Sequence, residues 1–364
     1  MERPRILLAG GGTGGHLFPA LAIADEIRKL SPAAELLFVG TKGKIEARVV
    51  PARGYAFETI WISGFHRALR LSNLMFPLKA AVALAQSFIL IKRFRPDVVV
   101  GTGGYVCGPI LYAASLRHIP TVVHESNSYP GVTTRAVAKR ATKVFTAFET
   151  TSKWLPGVQN IEVVGTPTRN ILDKVSREEA GKFFGLSANK RTVLVFGGSL
   201  GASSINNAVL GFVDELLSKG IQLIWQTGEK ELERMKRLLG PKIVGWVGPF
   251  IEKMEYAYAA SDLVVCRAGA VTLAELTRLG KPAILVPYPR AAADHQRYNA
   301  KVLEEAGAAT MVPDNEVGTQ LRRRLFGLID DGTKRNLMSK ASRGLGKPEA
   351  GRNIARKILD LVQE

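Results

Sequence analysis

A histidine stands where a run of glycines ends. The stretch ILLAGGGTGGHLFPALAIADEI (6–27) is an apolar run, the turn GGGTGG (10–15), His16, and then a helical pattern. Two more glycine turns follow apolar runs, GTGGYVCG (101–108) and GGSLGA (197–202). Glycine allows positive φ and lets an anion come close to bare backbone N–H groups. A helix that starts just beyond adds further N–H groups and the positive end of its dipole. Three such turns predict a protein that holds several phosphates. Gly10, Gly12 and Gly15 also fit G-x-G-x-x-G, the dinucleotide signature. That reading needs an acidic residue closing the second strand to take a ribose hydroxyl. The second strand ends FVGTKGK (38–44), with no Asp or Glu, and Lys42 and Lys44 leave only an NADP reading open. Neither G-x-x-x-x-G-K-[ST] nor D-x-D occurs. Their absence argues against a P-loop NTPase and against a divalent ion held by paired aspartates on a sugar nucleotide.

The elements that must position these turns are legible as short apolar runs alternating with helical stretches, the pattern of parallel sheets covered on both faces. Strands are predicted at 5–10, 35–40, 97–101, 121–125, 143–148 and 161–165, then at 192–198, 221–228, 242–248, 263–269 and 283–289. Pro167 and the polar helical stretch SREEAGKFFG (176–185) separate the two sets, so the domain joint is placed near Thr166. ILLAGGGTGG and VLVFGGSLGA open the two halves alike, as tandem Rossmann-type domains would. The end, GRNIARKILDLVQE (351–364), is amphipathic, with Ile354, Ile358, Leu361 and Val362 on one face. It could cap the second domain or cross back to the first.

A length of 364 residues suits two domains. Cys107 and Cys266 stand alone, which suggests neither a disulfide framework nor a zinc site and points to a reducing cytosol. The start MERPRILLAGG has no secretory signal pattern. Charge is the unusual quantity: 50 Lys and Arg against 32 Asp and Glu give +18. Such an excess favours a polyanionic partner, whether nucleic acid, an anionic membrane surface or a phosphorylated substrate. Residues 59–96 hold no acidic side chain but carry Arg67, Arg70, Lys79, Lys92, Arg93 and Arg95. Among these lie Leu69, Leu71, Leu74, Met75, Phe76, Leu78 and the run AAVALAQSFILI (80–91), which reads as buried in the fold. An apolar surface ringed by cations suits an interfacial anchor, assigned to 69–79. Pro77, Lys79 and Gln86 make a spanning helix the poorer reading.

Seven tracts occur in order: GGTGGHLFPALAIA (11–24), GTGGYVCGP (101–109), HESN (124–127), GTPTR (165–169), GGSLGA (197–202), CRAGAVTLAE (266–275) and DHQRYNA (294–300). Together they resemble the MurG family of bacterial transferases, over nearly the whole chain. The resemblance implies an α/β GT-B fold, two Rossmann-like domains whose parallel sheets face a central cleft. It implies residues 1–166 as the acceptor- and membrane-binding domain, joined by the helix 350–364, and 167–349 as the donor domain. The reaction would move N-acetylglucosamine from UDP-N-acetylglucosamine to undecaprenyl-pyrophosphoryl-N-acetylmuramoyl-pentapeptide (lipid I), with inversion and without metal or other cofactor. The place would be the cytoplasmic face of the membrane, as a peripheral protein beside other cell-wall synthesis and division proteins, with no nucleic-acid partner.

Carried over residue by residue, the resemblance implies these roles. His16 would be the base for the muramoyl 4-hydroxyl or a group that positions the acceptor, with Glu125 as the alternative base. A helix N-terminus pushes an imidazole pKa down, which keeps it neutral and able to accept a proton. Gly12, Thr13, Gly14 and Gly15, with Gly103, Gly104 and Tyr105, would hold the acceptor pyrophosphate, and Thr13, Gly14 and Gly15 would also border the donor. Ser199, at a helix start, and Arg169 would take the UDP phosphates. Ala270, Val271 and Thr272 would meet them from the first turn of a helix, and Glu275 would accept both ribose hydroxyls. Phe250 and Ile251 would flank uracil, Ile251 reading its edge by backbone groups. Gln296 and Asn299, with Asn127, would contact the sugar. Thr166, where the family often has Asn, and the alanine-rich turn PRAAADHQ (289–296) depart from the usual wording. Two rivals remain: another nucleotide-sugar transferase of the same architecture, and a basic non-enzymatic lipid- or nucleic-acid-binding protein.

Overall fold

Strands such as RILLA and VVVG are apolar without alternation, so both faces need cover, which parallel strands joined by helices provide. The computed structural model describes residues 3–64, 75–242 and 245–363. Its first unit runs to Thr168 and regains the chain from Lys347. It contains β1 (Arg5–Ala9), α1 (Gly14–Leu30), β2 (Glu35–Gly40), α2 (Ile45–Ala52), β3 (Ala56–Thr59), α3 (Phe76–Phe94), β4 (Val98–Gly101) and α4 (Cys107–Leu116). β5 (Thr121–Glu125), α5 (Val132–Val137), β6 (Lys143–Thr146) and β7 (Ile161–Val163) complete its sheet, ordered β3-β2-β1-β4-β5-β6-β7 and parallel throughout.

The second unit, Arg169–Gly346, repeats the plan. α6 (Arg177–Phe184) leads into β8 (Thr192–Phe196), α7 (Ser203–Gly211), α8 (Val213–Ser218), β9 (Gln222–Gln226), α9 (Glu229–Leu239) and β10 (Gly245–Gly248). α10 (Met254–Ala260), β11 (Leu263–Cys266), α11 (Ala270–Leu279), β12 (Ala283–Leu285), α12 (His295–Glu305), β13 (Ala309–Met311), α13 (Val317–Ile329) and α14 (Gly332–Leu345) follow. The strand order is β10-β9-β8-β11-β12-β13, again all parallel.

Two strands went unpredicted. β3 (AFET) is a half-exposed sheet edge of four residues, and β13 (ATM) has three, too few for a pattern to form. The residues of β1 divide between the two faces with period two. Ile6 and Leu8 pack under α1, whereas Leu7 and Ala9 pack under α3 and α4. The last helix, α15 (Ala350–Gln363), belongs to the first unit, where Ile354, Ile358 and Leu361 are buried with Leu17, Leu21 and Ala24 of α1. Burying three large aliphatic side chains contributes about 1.5–3 kcal/mol each and ties this 14-residue helix to α1. The predicted helix 176–185 forms as α6, with Ser176 accepting from the Glu179 N–H and Gly185 closing it at φ +67°.

Of the anchor residues, Leu69, Leu71 and Leu74 lie outside the described residues. Met75 and Leu78 are exposed at the start of α3, and Phe76 is half-buried. Lys79 donates to Ser63 Oγ at 3.0 Å and lies over the Trp61 ring. The run 80–91 is not wholly buried as expected: α3 buries Ala83, Ser87, Leu90 and Ile91, whereas Ile89 is 63% exposed. A helix packed on one sheet face can bury only the stripe that faces it. No helix among the described residues is long and apolar enough to cross a membrane.

Candidate active site

β1 ends at Ala9 and α1 begins at Gly14, so GGGTGG is the strand-to-helix turn and His16 sits in the first helical turn. The ring is held from one side by its own turn. His16 Nδ1 lies 3.1 Å from the Gly11 carbonyl and 3.3 Å from Thr13 Oγ1. A carbonyl can only accept, so Nδ1 carries the proton in the neutral ring and Nε2 is the acceptor nitrogen. From the other side the turn after β4 closes on it. A Cβ on Gly103 would come within 2.5 Å of His16 Cδ2, and one on Gly104 within 2.4 Å of the Gly11 carbonyl oxygen. Both glycines also have positive φ, +111° and +88°, so no other residue fits this approach of backbone to ring. Thr102 Oγ1 donates to the His16 carbonyl at 2.8 Å and pins the start of α1 to the end of β4. Tyr105 is half exposed just beyond.

The N–H of Gly12 is committed, contrary to expectation, to a buried carboxylate: it donates to Glu46 Oε2 at 3.0 Å. Glu125 sits at the C-terminal end of β5 with both oxygens engaged. Oε1 accepts from the Asn127 N–H and side-chain amide, and Oε2 from the Gly131 N–H and Thr134 hydroxyl. Four donors occupy the four acceptor positions of a carboxylate, so Glu125 braces the β5–α5 loop and is poorly placed to take a proton. Asn127, one of those donors, is half-buried.

In the second unit, Ser199 is exposed in the turn after β8 and not at a helix start, because α7 begins only at Ser203. Gly201 forces the delay, with φ +76° and room for a Cβ only 2.0 Å from the Thr227 carbonyl oxygen. Phe250 is half exposed, as a ring that stacks on a base must be. The N–H of Ile251, however, donates to Gln226 Oε1 at 2.8 Å and so is not the group that reads a uracil edge.

α11 starts at Ala270, with Gly269 before it and Thr272 half-buried in its first turn beside Val271. Glu275, one turn on, is buried. Arg169 Nε and Nη2 donate to its Oε1 at 3.1 and 2.9 Å, and the Tyr258 hydroxyl donates to Oε2 at 3.0 Å. Arg169 and Glu275, assigned separately to phosphate and ribose, thus take each other. Burial pushes the Glu275 carboxyl above its ordinary range, opposed by Arg169 and by the Tyr258 hydroxyl. Burial and the neighbouring Glu275 push the Tyr258 hydroxyl well up, so it remains a donor. Glu255, also buried, lies 3.9 Å from Arg169 Nη1, and its Oε2 finds no hydrogen-bond donor.

Gln296 is half-buried at the start of α12 and accepts from the Tyr288 N–H at 2.9 Å. Asn299 is fully buried and donates to the Ala268 carbonyl at 3.2 Å, so it supports the β11–α11 turn instead of touching a sugar. The alanine-rich turn before Gln296 places Ala293 and Asp294 consecutively at positive φ, +52° and +55°. Such strain in non-glycine residues costs on the order of 1 kcal/mol or more each and collects at ligand clamps.

This layout matches known proteins over the full chain. The model of the glycosyltransferase family 28 N-terminal domain matches residues 6–146, and that of the family 28 C-terminal domain matches 192–356. The chain belongs to glycosyltransferase family 28. It is 44% identical over 362 residues to a Chlorobaculum tepidum protein named UDP-N-acetylglucosamine--N-acetylmuramyl-(pentapeptide) pyrophosphoryl-undecaprenol N-acetylglucosamine transferase, covering 98% of this chain and 99% of that one. A Salinibacter ruber protein of the same name is 42% identical, with 99% and 97% covered. The crystal structure of Acinetobacter baumannii MurG superposes with a TM-score of 0.79 at 26% identity, covering 99% of this chain and all of that one. The two parallel α/β units are those of a GT-B glycosyltransferase.

Three residues that support the glycine turns were not assigned a role there from the sequence. Gln226, buried at the end of β9, donates to the Gly198 carbonyl at 2.7 Å while accepting from Ile251, so one amide ties the GGSLGA turn to the Phe250 strip. Its signal was a polar residue closing an otherwise apolar strand. Cys107 Sγ lies 3.0 Å from the Ala9 carbonyl and accepts from the Gly103 N–H, and burial pushes the thiol up to about 12. It is a strap between the first two glycine turns. The third is Glu46.

Proposed function

We propose that this chain transfers N-acetylglucosamine from UDP-N-acetylglucosamine to the muramoyl 4-hydroxyl of undecaprenyl-pyrophosphoryl-N-acetylmuramoyl-pentapeptide, forming lipid II. The relatives' names supply the substrates, and the observation that carries the chemistry is His16, held with Nε2 as its acceptor nitrogen among glycines. In the step, the 4-hydroxyl oxygen bonds to the anomeric carbon from the face opposite UDP, its proton passes to Nε2, and the bond from that carbon to the phosphate oxygen breaks. UDP departs with the electron pair and the configuration inverts. The turn Thr13–Gly15 with Gly104 and Tyr105 is assigned to the acceptor diphosphate. Arg169, Ser199 and the N-terminus of α11, with Ala270, Val271 and Thr272, are assigned to the charge that grows on UDP. Glu275 with Arg169 faces the ribose, Phe250 stacks on uracil, and Gln296 and Asn127 are kept as contacts to the sugar.

Radiolabelled donor incubated with a lipid I analogue tests this directly. Label should pass to the lipid analogue and not to soluble sugars or small aglycones. Transfer to those aglycones alone would make the chain a GT-B enzyme with a different acceptor.

We also propose that the exposed apolar start of α3 rests on an anionic membrane surface. Met75 at 42% and Leu78 at 52% exposure stand about one helical turn apart, and the same helix carries the cations Lys92 and Arg93 in its last turn. A Met75→Glu, Leu78→Glu double variant should lower cosedimentation with anionic vesicles at least about tenfold, since each apolar side chain contributes about 2 kcal/mol on burial. Transfer to a detergent-solubilised acceptor should be unchanged, and unaltered vesicle binding would remove this assignment.

A further inference from the structure

We propose that Glu46 is a positioning residue for His16 and acts through the Gly11–Gly12 peptide. The proposal rests on the reading of His16 as the base.

Glu46 is the second residue of α2 and has no exposed surface. Its side chain reaches the first glycine turn between two residues that must be glycine. A Cβ on Gly40 would lie 2.5 Å from Glu46 Cγ, and one on Gly11 would lie 2.5 Å from Oε1. At the end of this passage Oε1 accepts from the Thr41 N–H at 3.1 Å and the Thr41 hydroxyl at 2.8 Å. Oε2 accepts from the Gly12 N–H at 3.0 Å. The two carboxylate oxygens thus accept three hydrogen bonds, two from Thr41 and one from Gly12.

The Gly12 N–H and the Gly11 C=O are two ends of one planar peptide group. The carbonyl end accepts from His16 Nδ1 at 3.1 Å. The order is therefore carboxylate, amide N–H, amide C=O, imidazole N–H. A carboxylate on an amide hydrogen draws electron density toward the carbonyl oxygen, and hydrogen bonds in series strengthen one another by roughly 10–30% each. Glu46 thus does two things to His16 without touching it. It fixes the orientation of the carbonyl that selects the Nδ1–H tautomer. It also places negative charge, one peptide away, against the positive charge the ring acquires when Nε2 takes the hydroxyl proton. In serine proteases a carboxylate does this work by direct contact, and losing it leaves the wrong tautomer. Here the peptide relays it, so the effect is smaller.

The test uses the full-length protein, with Glu46→Gln and Thr41→Val measured against wild type. Glutamine cannot present acceptors to both Gly12 and Thr41, whereas Thr41→Val removes one bond to the same carboxylate and leaves Gly12 alone. Glu46→Gln should lower kcat about tenfold with KM for UDP-N-acetylglucosamine unchanged. Thr41→Val should leave kcat within about twofold of wild type, well short of that loss. In long-range 1H–15N spectra, assigned with His16→Asn, the wild-type ring should show an unprotonated Nε2. In Glu46→Gln the two ring nitrogens should move toward each other as the second tautomer fills. A wild-type ring protonated at Nε2 would overturn the proposal without any variant. So would equal losses in Glu46→Gln and Thr41→Val, which would mark a purely structural carboxylate. If His16→Ala is near normal, the reading of the base fails. If His16→Ala is severe and Glu46→Gln is silent in both kcat and spectrum, only the relay fails.

Discussion

A His16→Ala variant is expected to lose about 100-fold or more of its turnover while still binding UDP-N-acetylglucosamine. General-base catalysis contributes about 10²–10⁴-fold, and no second group of this turn can replace it. Glu125, the other candidate base, has its four acceptor positions filled by Asn127, Gly131 and Thr134. The variant should fold normally, because the ring packs on glycines of two turns and leaves the sheet core untouched. Single-turnover transfer with saturating acceptor, alongside UDP titration by calorimetry, separates chemistry from binding. Near-normal turnover with intact UDP binding would return the base to no single residue and leave His16 a positioning role.

The second large effect is expected at Arg169. Its guanidinium is the cation for Glu275 at 2.9 Å and for Glu255 at 3.9 Å. Arg169→Ala would strand two buried carboxylates. Breaking a buried pair by removing one partner costs about 3–5 kcal/mol, and the partly exposed guanidinium puts this case near the lower end. The pH dependence has a definite sign. Burial already raises the folded Glu275 pKa above its unfolded value, so the folded chain binds the proton more tightly. Stability from such a group is fully present below the unfolded carboxylate range and is lost as pH rises through the folded pKa. Without Arg169 the folded value rises further, so the variant's deficit should be small near pH 4 and largest at neutral pH and above. Denaturant unfolding at both pH values checks this, and an equal deficit at both would show that packing, not charge, sets the cost. Turnover should fall about 10²–10³-fold where the fold survives, because Arg169 is assigned to the charge on departing UDP. Arg169→Lys should recover stability more than turnover, since an ammonium cannot make the paired contacts of a guanidinium.

Much of the scaffold was readable because its signals are local. Eleven of the strands among the described residues are short apolar runs, most of them followed by glycine, and the turns that carry His16, Gly103 and Ser199 announce themselves by residue type alone. What misled was also local. FVGTKGK lacks an acidic residue, so the first turn seemed to have no carboxylate partner, yet Glu46 lies only six residues beyond Gly40 and folds back onto Gly12. DHQRYNA offers two amides at helical spacing, but Asn299 is fully buried and donates into the β11–α11 turn.

The sequence by itself determined the two parallel α/β units, the glycine turns at their strand ends and a histidine in the first turn of a helix. Burial of a strand on both faces and the need for positive φ act over a few residues, so they are written in short stretches of chain. The tertiary structure alone decided which charges meet. Arg169 and Glu275 are 106 positions apart, Glu46 and Gly12 34, and α15 returns to the first sheet only after the second is complete. Those pairings depend on how strands order across a sheet, and desolvation then makes each buried carboxylate take the donors that the order brings to it.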